Sequence, residues 1–169
     1  MSKLPTVAII GQANVGKSSL FNRLTRSRTA IVAREAGTTR DNVVGKVSYK
    51  RRNVDSAPSD DYSQFWLIDT AGLKTAEDEF EATIQDQIAD ASTAADVILV
   101  TVDSTAYPSD ADRQLAKKAL KSGKPVILIA NKADLKGSLS IDEFKRLGIK
   151  NIIKTSAEHS IGISELLDS

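Results

Sequence analysis

Residues 11–18 read Gly-Gln-Ala-Asn-Val-Gly-Lys-Ser, between the apolar run Val7-Ala8-Ile9-Ile10 and an amphipathic stretch from Ser18 to Leu24. A Gly-x-x-x-x-Gly-Lys-Ser segment that joins a strand to a helix is a phosphate cradle. Gly11 and Gly16 lack a Cβ, so the backbone there can bend tightly around an anion. The amides of residues 14–19, those of Val15 and Ser19 among them, then point inward, and the helix aims its positive end at the same place. Lys17 adds a mobile charge able to span two phosphates. The Ser18 hydroxyl is a hard oxygen suited to Mg²⁺. The segment predicts a nucleotide di- or triphosphate with magnesium. It leaves open the base, and whether the phosphate is transferred, hydrolysed or sensed.

Four apolar residues in a row at 7–10 suit a strand covered on both faces. Apolar runs predict further strands at 43–50, 64–69, 97–102, 126–130 and 152–153. Helical spacing predicts helices at 18–24, 80–93, 109–121 and 141–147, with a last one beginning at 163. Residues 27–42 lack a sustained period and read as loop; 51–62 read as a polar turn or a longer excursion. Strands alternate with helices except between 43–50 and 64–69, which therefore form a hairpin. The expected fold is a three-layer α/β architecture. It has a mostly parallel six-stranded sheet, one antiparallel edge strand and helices on both faces.

The chain has 169 residues, the length of one ordinary domain. The last helix has barely one turn of apolar residues before Ser169, so residues 1–169 read as a single domain that is either cut from a longer protein or closed by a short helix. The absence of cysteine excludes a disulfide framework and a thiolate metal site and fits a reducing cytoplasm. No stretch approaches the roughly 20 apolar residues of a membrane span, so no membrane partner is expected. A formal net charge of +1 gives no broad positive field for nucleic acid.

Asp69-Thr70-Ala71-Gly72 closes the strand at 64–69. An Asp at the carboxyl end of a strand lies where open α/β sheets bind ligands, and it can hold magnesium directly or through water. Gly72 would let its amide sense the terminal phosphate. Asn131-Lys132-Ala133-Asp134 follows another apolar strand. A carboxylate at Asp134 accepts from both the ring N–H and the exocyclic amine of guanine, a donor pair that adenine lacks. Sites built on such hydrogen bonds discriminate on the order of 10⁴-fold or more. Lys132 would lay its methylene stem along the base.

With these motifs in this order, the chain resembles the GTPase superfamily and its P-loop G-domain fold. Ser156-Ala157-Glu158 resembles the loop whose backbone amide touches the guanine oxygen. Ala36-Gly37-Thr38-Thr39-Arg40-Asp41 resembles the first switch of the bacterial group that contains Era, MnmE and Der (also called EngA). The segments 14–24, 30–33, 67–70, 95–98, 124–128 and 156–159 are most similar to the first GTPase domain of the Der family. The likeness covers essentially the whole chain. Gln12-Ala13 stands where that family usually has Arg-Pro, and Ala71-Gly72 where its first domain often has Gly-Gly.

The resemblance implies GTP hydrolysis with Mg²⁺ held by Ser18, Thr39 and Asp69. Lys17, Thr39, Gly72 and Asn14 are the implied catalytic set. Leu73 stands where many small GTPases carry a water-orienting glutamine, and it has no donor or acceptor. The resemblance implies a K⁺ ion in compensation, with Asn14 as a ligand. It implies neighbouring domains in the same protein and action on the large ribosomal subunit or its precursor during assembly. Two alternatives stand beside this: a slow-hydrolysing GDP/GTP-dependent docking module, and the G domain of an Era- or MnmE-like protein. The basic cluster Lys46, Lys50, Arg51 and Arg52 reads as a solvated hairpin tip, and His159 as a surface or capping residue.

Overall fold

The computed structural model describes residues 4–12, 15–25, 33–34, 43–50, 62–69 and 95–156. Strand β1 (Thr6–Gly11) feeds helix α1 (Lys17–Leu24). Then come β2 (Ala33–Arg34), β3 (Val43–Lys50), β4 (Tyr62–Asp69) and β5 (Val97–Asp103). Helix α2 (Asp110–Lys121), β6 (Val126–Asn131), a 3₁₀ helix (Ile141–Leu147) and β7 (Asn151–Lys154) follow. The strands form one sheet in the order β2-β3-β4-β1-β5-β6-β7. β4, β1, β5, β6 and β7 run parallel, and β3 is antiparallel to β4.

All six expected strands are present, each within two residues of its expected ends. The difference is β2. Ala33 and Arg34 pair with Val44 and Val43 in a segment expected to be loop, so the antiparallel strand carries a short seventh strand on its outer side. Two residues cannot show a period, and what draws them into the sheet is the unpaired edge of β3. The segment at 141–147 is helical as expected but winds as a 3₁₀ helix, ended by Gly148 at φ +81°. The expected helices at 80–93 and after 163 lie outside the described residues.

Side chains alternate across the sheet with a period of two. Ala8 and Ile10 of β1 join Val100, Leu115, Ala116, Ala119 and Phe144 on the α2 face. Ile9 joins Leu20, Phe21, Leu67 and Ile129 on the α1 face. Each fully buried large side chain adds about 1.5–3 kcal/mol. Of the two neighbouring aromatics on β4, Phe65 packs against the α1-side cluster. Trp66, on the other face, has Lys46 Nζ 5.9 Å from its ring centroid. One member of the basic cluster thus lies over an aromatic ring rather than standing alone in solvent.

Helix α2 starts where its sequence says it should. Ser109 Oγ accepts from the Asp112 N–H at 3.2 Å, and Asp112 Oδ2 accepts from the Ser109 N–H at 3.0 Å. This reciprocal capping box adds about 1 kcal/mol. Helix α1 is seated by a different device. A Cβ at Gly45 of β3 would lie 2.5 Å from Thr25 Cγ2 and 2.9 Å from Phe21 Cζ. The strand must be bare there for α1 to close on the sheet. Gly45→Ala should therefore cost about 1–3 kcal/mol by overpacking, lowering the thermal midpoint by roughly 3–10 °C. A melting curve that overlays the wild type would show that α1 does not depend on this contact.

Candidate functional site

The register brings the strand ends together. Asp69 ends β4 opposite Ile9, Gly11 ends β1 opposite Thr101, and Asp103 ends β5 opposite Asn131, the last residue of β6. These ends lie along one edge of the sheet. β1 sits between β4 and β5, so the chain leaves it at the crevice where strand order reverses, the place where open α/β sheets bind ligands.

The phosphate loop is held closely against its neighbours. A Cβ on Gly11 would come within 2.6 Å of the Thr101 carbonyl oxygen. Gly16 has φ +94°, in the left-handed region, and a Cβ there would lie 2.2 Å from Asn131 Nδ2. Only glycine meets both demands at position 16. Lys17 is buried, and its ammonium donates to the Gly11 carbonyl across the mouth of the loop. Ser18 lies in the first turn of α1, and Ser19 is exposed.

The motif at 131–134 is bound to that loop from β6. Asn131 Nδ2 donates to the Val15 carbonyl at 3.0 Å, and Thr155 Oγ1 donates to Asn131 Oδ1 at 3.1 Å. Asn131 is buried and joins three segments: the phosphate loop, the end of β6 and the residue after β7. Lys132 has φ +64°. Its ammonium lies 3.1 Å from Asp103 Oδ2, so its stem spans from the end of β6 to the end of β5. Asp103 Oδ1 accepts from the Thr105 N–H at 2.8 Å and from Thr105 Oγ1 at 2.6 Å. Burial alone pushes the Asp103 carboxyl up. The two Thr105 bonds and the Lys132 ammonium together outweigh it and hold the pKa below the ordinary value. A lowered folded pKa keeps the Asp103 carboxylate charged at neutral pH, and the stabilisation it brings fades only as pH falls through the carboxylate range.

A cavity of about 220 Å³ opens here, lined by Gly16 and Ser19 of the phosphate loop and helix α1 and by Asn131, Lys132, Asp134, Leu135 and Ser156. The structure thus brings Gly16, Ser19, Asn131, Lys132, Asp134 and Ser156 to one depression, with Gly11, Val15 and Lys17 adjoining it through the loop. Asp69 is 1% exposed at the end of β4. A buried carboxylate beside a phosphate cradle has the hard oxygen chemistry that Mg²⁺ takes. Among the described residues no group of three or more His, Cys, Asp or Glu side chains could cage a metal. An ion held mainly by phosphates, water and one or two protein oxygens needs none. Asn14, Thr38, Thr39, Arg40, Thr70, Ala71, Gly72, Leu73, Ala157, Glu158 and His159 lie outside the described residues.

Sequence reasoning missed three participants. Asp103 anchors Lys132, Thr155 orients Asn131, and Leu135 adds an apolar wall. Asp103 carried the same signal as Asp69, a carboxylate ending an apolar strand. Thr155 and Leu135 carried none.

The family described as 50S ribosome-binding GTPase matches residues 6–132. The chain is 39% identical over 169 residues to GTPase Der of Gemmatimonas aurantiaca, covering 98% of this chain and 36% of that protein. It is 42% identical over 164 residues to GTPase Der of Porphyromonas gingivalis, covering 96% and 35%. The chain therefore spans about a third of the length of these relatives. Its fold is similar to that of an Aquifex aeolicus Era variant bound to GDP and aluminium fluoride, with a TM-score of 0.67 and 29% identity. That match covers 98% of this chain and 55% of Era.

Proposed function

The chain belongs to the 50S ribosome-binding GTPases, and from that premise we propose that it is a GTP-hydrolysing switch domain serving a longer protein in assembly of the large ribosomal subunit. The observation that carries this reading is the hydrogen bond from Asn131 to the Val15 carbonyl, which joins the phosphate loop to the motif at 131–134 beside one cavity that both line.

In this reading the loop amides and Lys17 grip the β- and γ-phosphates. Lys17 leaves the Gly11 carbonyl to do so, exchanging a neutral acceptor for a charged one. Asp134 accepts from the guanine edge, Lys132 lies along the base with its ammonium held by Asp103, and the Ser156–Glu158 loop closes over the guanine oxygen. Ser18, Asp69 and Thr39 are the oxygens that would hold Mg²⁺, which when bound neutralises charge on the phosphates. Thr39 and the Gly72 amide touch the terminal phosphate and position water. Attack of water on the γ-phosphorus breaks the bond to the bridging oxygen and yields GDP and inorganic phosphate. Its loss frees the segments at 27–41 and 70–82, whose contacts with neighbouring domains or the ribosome then change. Among the described residues no helix is long and apolar enough to cross a membrane. On the likeness to GTPase Der we propose a cytoplasmic location.

Leu73 cannot orient water, so another group must balance charge in the transition state. We assign that part to K⁺ held by Asn14. Single-turnover GTP hydrolysis by this chain should then run at least about ten-fold faster in potassium than in sodium at equal ionic strength, since one transition-state charge contact is worth 10²–10³-fold. Asn14→Ala should erase the difference. Equal rates in the two salts would overturn the potassium assignment. No turnover in either would favour a docking module that reads GDP against GTP without hydrolysis.

A further inference from the structure

Gln12 stands directly after Gly11 in the phosphate loop, yet its side chain engages a different element. Its Nε2 lies 2.6 Å from Ser109 Oγ and 2.7 Å from Asp112 Oδ1, across 97 and 100 residues of sequence. Both acceptors belong to the capping box that opens α2. One amide hydrogen goes to a hydroxyl and the other to a carboxylate, so the donor capacity of this side chain is fully used. Asp112 is buried and completes the box through its other oxygen.

The loop is therefore held from two sides. Its start is tied by Gln12 to the first turn of α2, which stands on the β5 side of the site. Its far part is tied at the Val15 carbonyl by Asn131 at the end of β6. Neither tie involves a phosphate. The amides of a phosphate cradle must converge on one point, and a loop already fixed in that shape loses less freedom on binding. Glutamine is neutral, so it adds no attraction of its own to an anion; whatever it contributes passes through loop geometry.

We infer that Gln12 is a positioning residue for the phosphate loop, anchored by Ser109 and Asp112, and that cutting this tie weakens nucleotide binding while leaving the fold in place. The inference rests on the nucleotide-binding reading above.

The test is titration of the nucleotide-free 169-residue chain with a fluorescent GDP analogue, alongside a thermal melt. Wild-type binding, measured first, tests the nucleotide reading by itself. Gln12→Leu keeps the bulk and removes the donors. It should weaken GDP binding about ten-fold, equivalent to about 1.4 kcal/mol, since binding must then order the freed loop. The melting midpoint should fall by no more than about 8 °C, as expected for the roughly 1–2 kcal/mol that the lost bonds are worth in a domain of this size. Gln12→Glu sets a carboxylate against Asp112 and should weaken binding further. Combining Gln12→Glu with Asp112→Asn restores the contact with donor and acceptor exchanged, at unchanged net charge, and should recover most of the lost affinity. The inference is overturned if Gln12→Leu binds GDP as the wild type does. It is equally overturned if the exchanged pair binds no better than Gln12→Glu alone, a comparison that still decides should Gln12→Leu fail to fold.

Discussion

Asp134→Asn should turn this domain from guanine toward xanthine nucleotides. Asp134 lines the same cavity as Gly16. As a carboxylate it offers two acceptors to the guanine edge, where a ring N–H and an exocyclic amine both donate. Asparagine turns one acceptor into a donor, which faces the guanine amine badly and the corresponding xanthine carbonyl well. A site built on paired hydrogen bonds rejects a mismatched partner by about 10⁴-fold, so GDP affinity should fall by roughly that factor while XDP becomes the better ligand. Competition of GDP and XDP against a fluorescent nucleotide measures both. If the variant held GDP within three-fold of the wild type, Asp134 would not be the base-reading group.

Gly16→Ala should have the next largest effect, for a reason internal to the protein. Position 16 sits at φ +94°, where a side chain costs about 1–2 kcal/mol. The added Cβ would also stand 2.2 Å from Asn131 Nδ2. Asn131 must move, its bond to the Val15 carbonyl breaks, and buried polar groups lose partners at about 1–3 kcal/mol. The strain and the lost tie act on the same loop. Together they should raise the GDP dissociation constant by on the order of 10²–10³-fold, at 1.4 kcal/mol per factor of ten. Titration of the purified variant checks this, and an affinity near wild type would mean that the loop reaches its binding shape without that contact.

Much of this architecture could be read from the residues because the signals are local. Val7–Ile10, Val97–Val102 and Val126–Ala130 are apolar runs that end in glycine, aspartate and asparagine, and such runs become strands buried on both faces with their chemistry at the carboxyl end. Ser109 and Asp112 mark the start of α2 in the same way. What was not legible depends on register. Asp103 faces Lys132 only because Asp103 pairs with Asn131 across two strands. Ala33–Arg34 become a strand only because the edge of β3 is there to pair with. Asn131 stands in the sequence only as the first member of the motif at 131–134. In the fold its amide reaches back to the phosphate loop, and nothing in the order Asn-Lys-Ala-Asp says which of its members turns inward. Gln12 read as a departure from a familiar pattern, and its partners a hundred residues away give it a task that spacing could not reveal.

One cavity should take a guanine nucleotide by both its phosphates and its base. Isothermal calorimetry of the nucleotide-free chain in magnesium buffer, titrated with GDP and separately with ADP, addresses it directly. One site should appear, with GDP preferred by about 10⁴-fold, so that ADP gives no measurable heat at concentrations that saturate with GDP. Equal uptake of the two, or no heat from GDP at millimolar concentration, would contradict it.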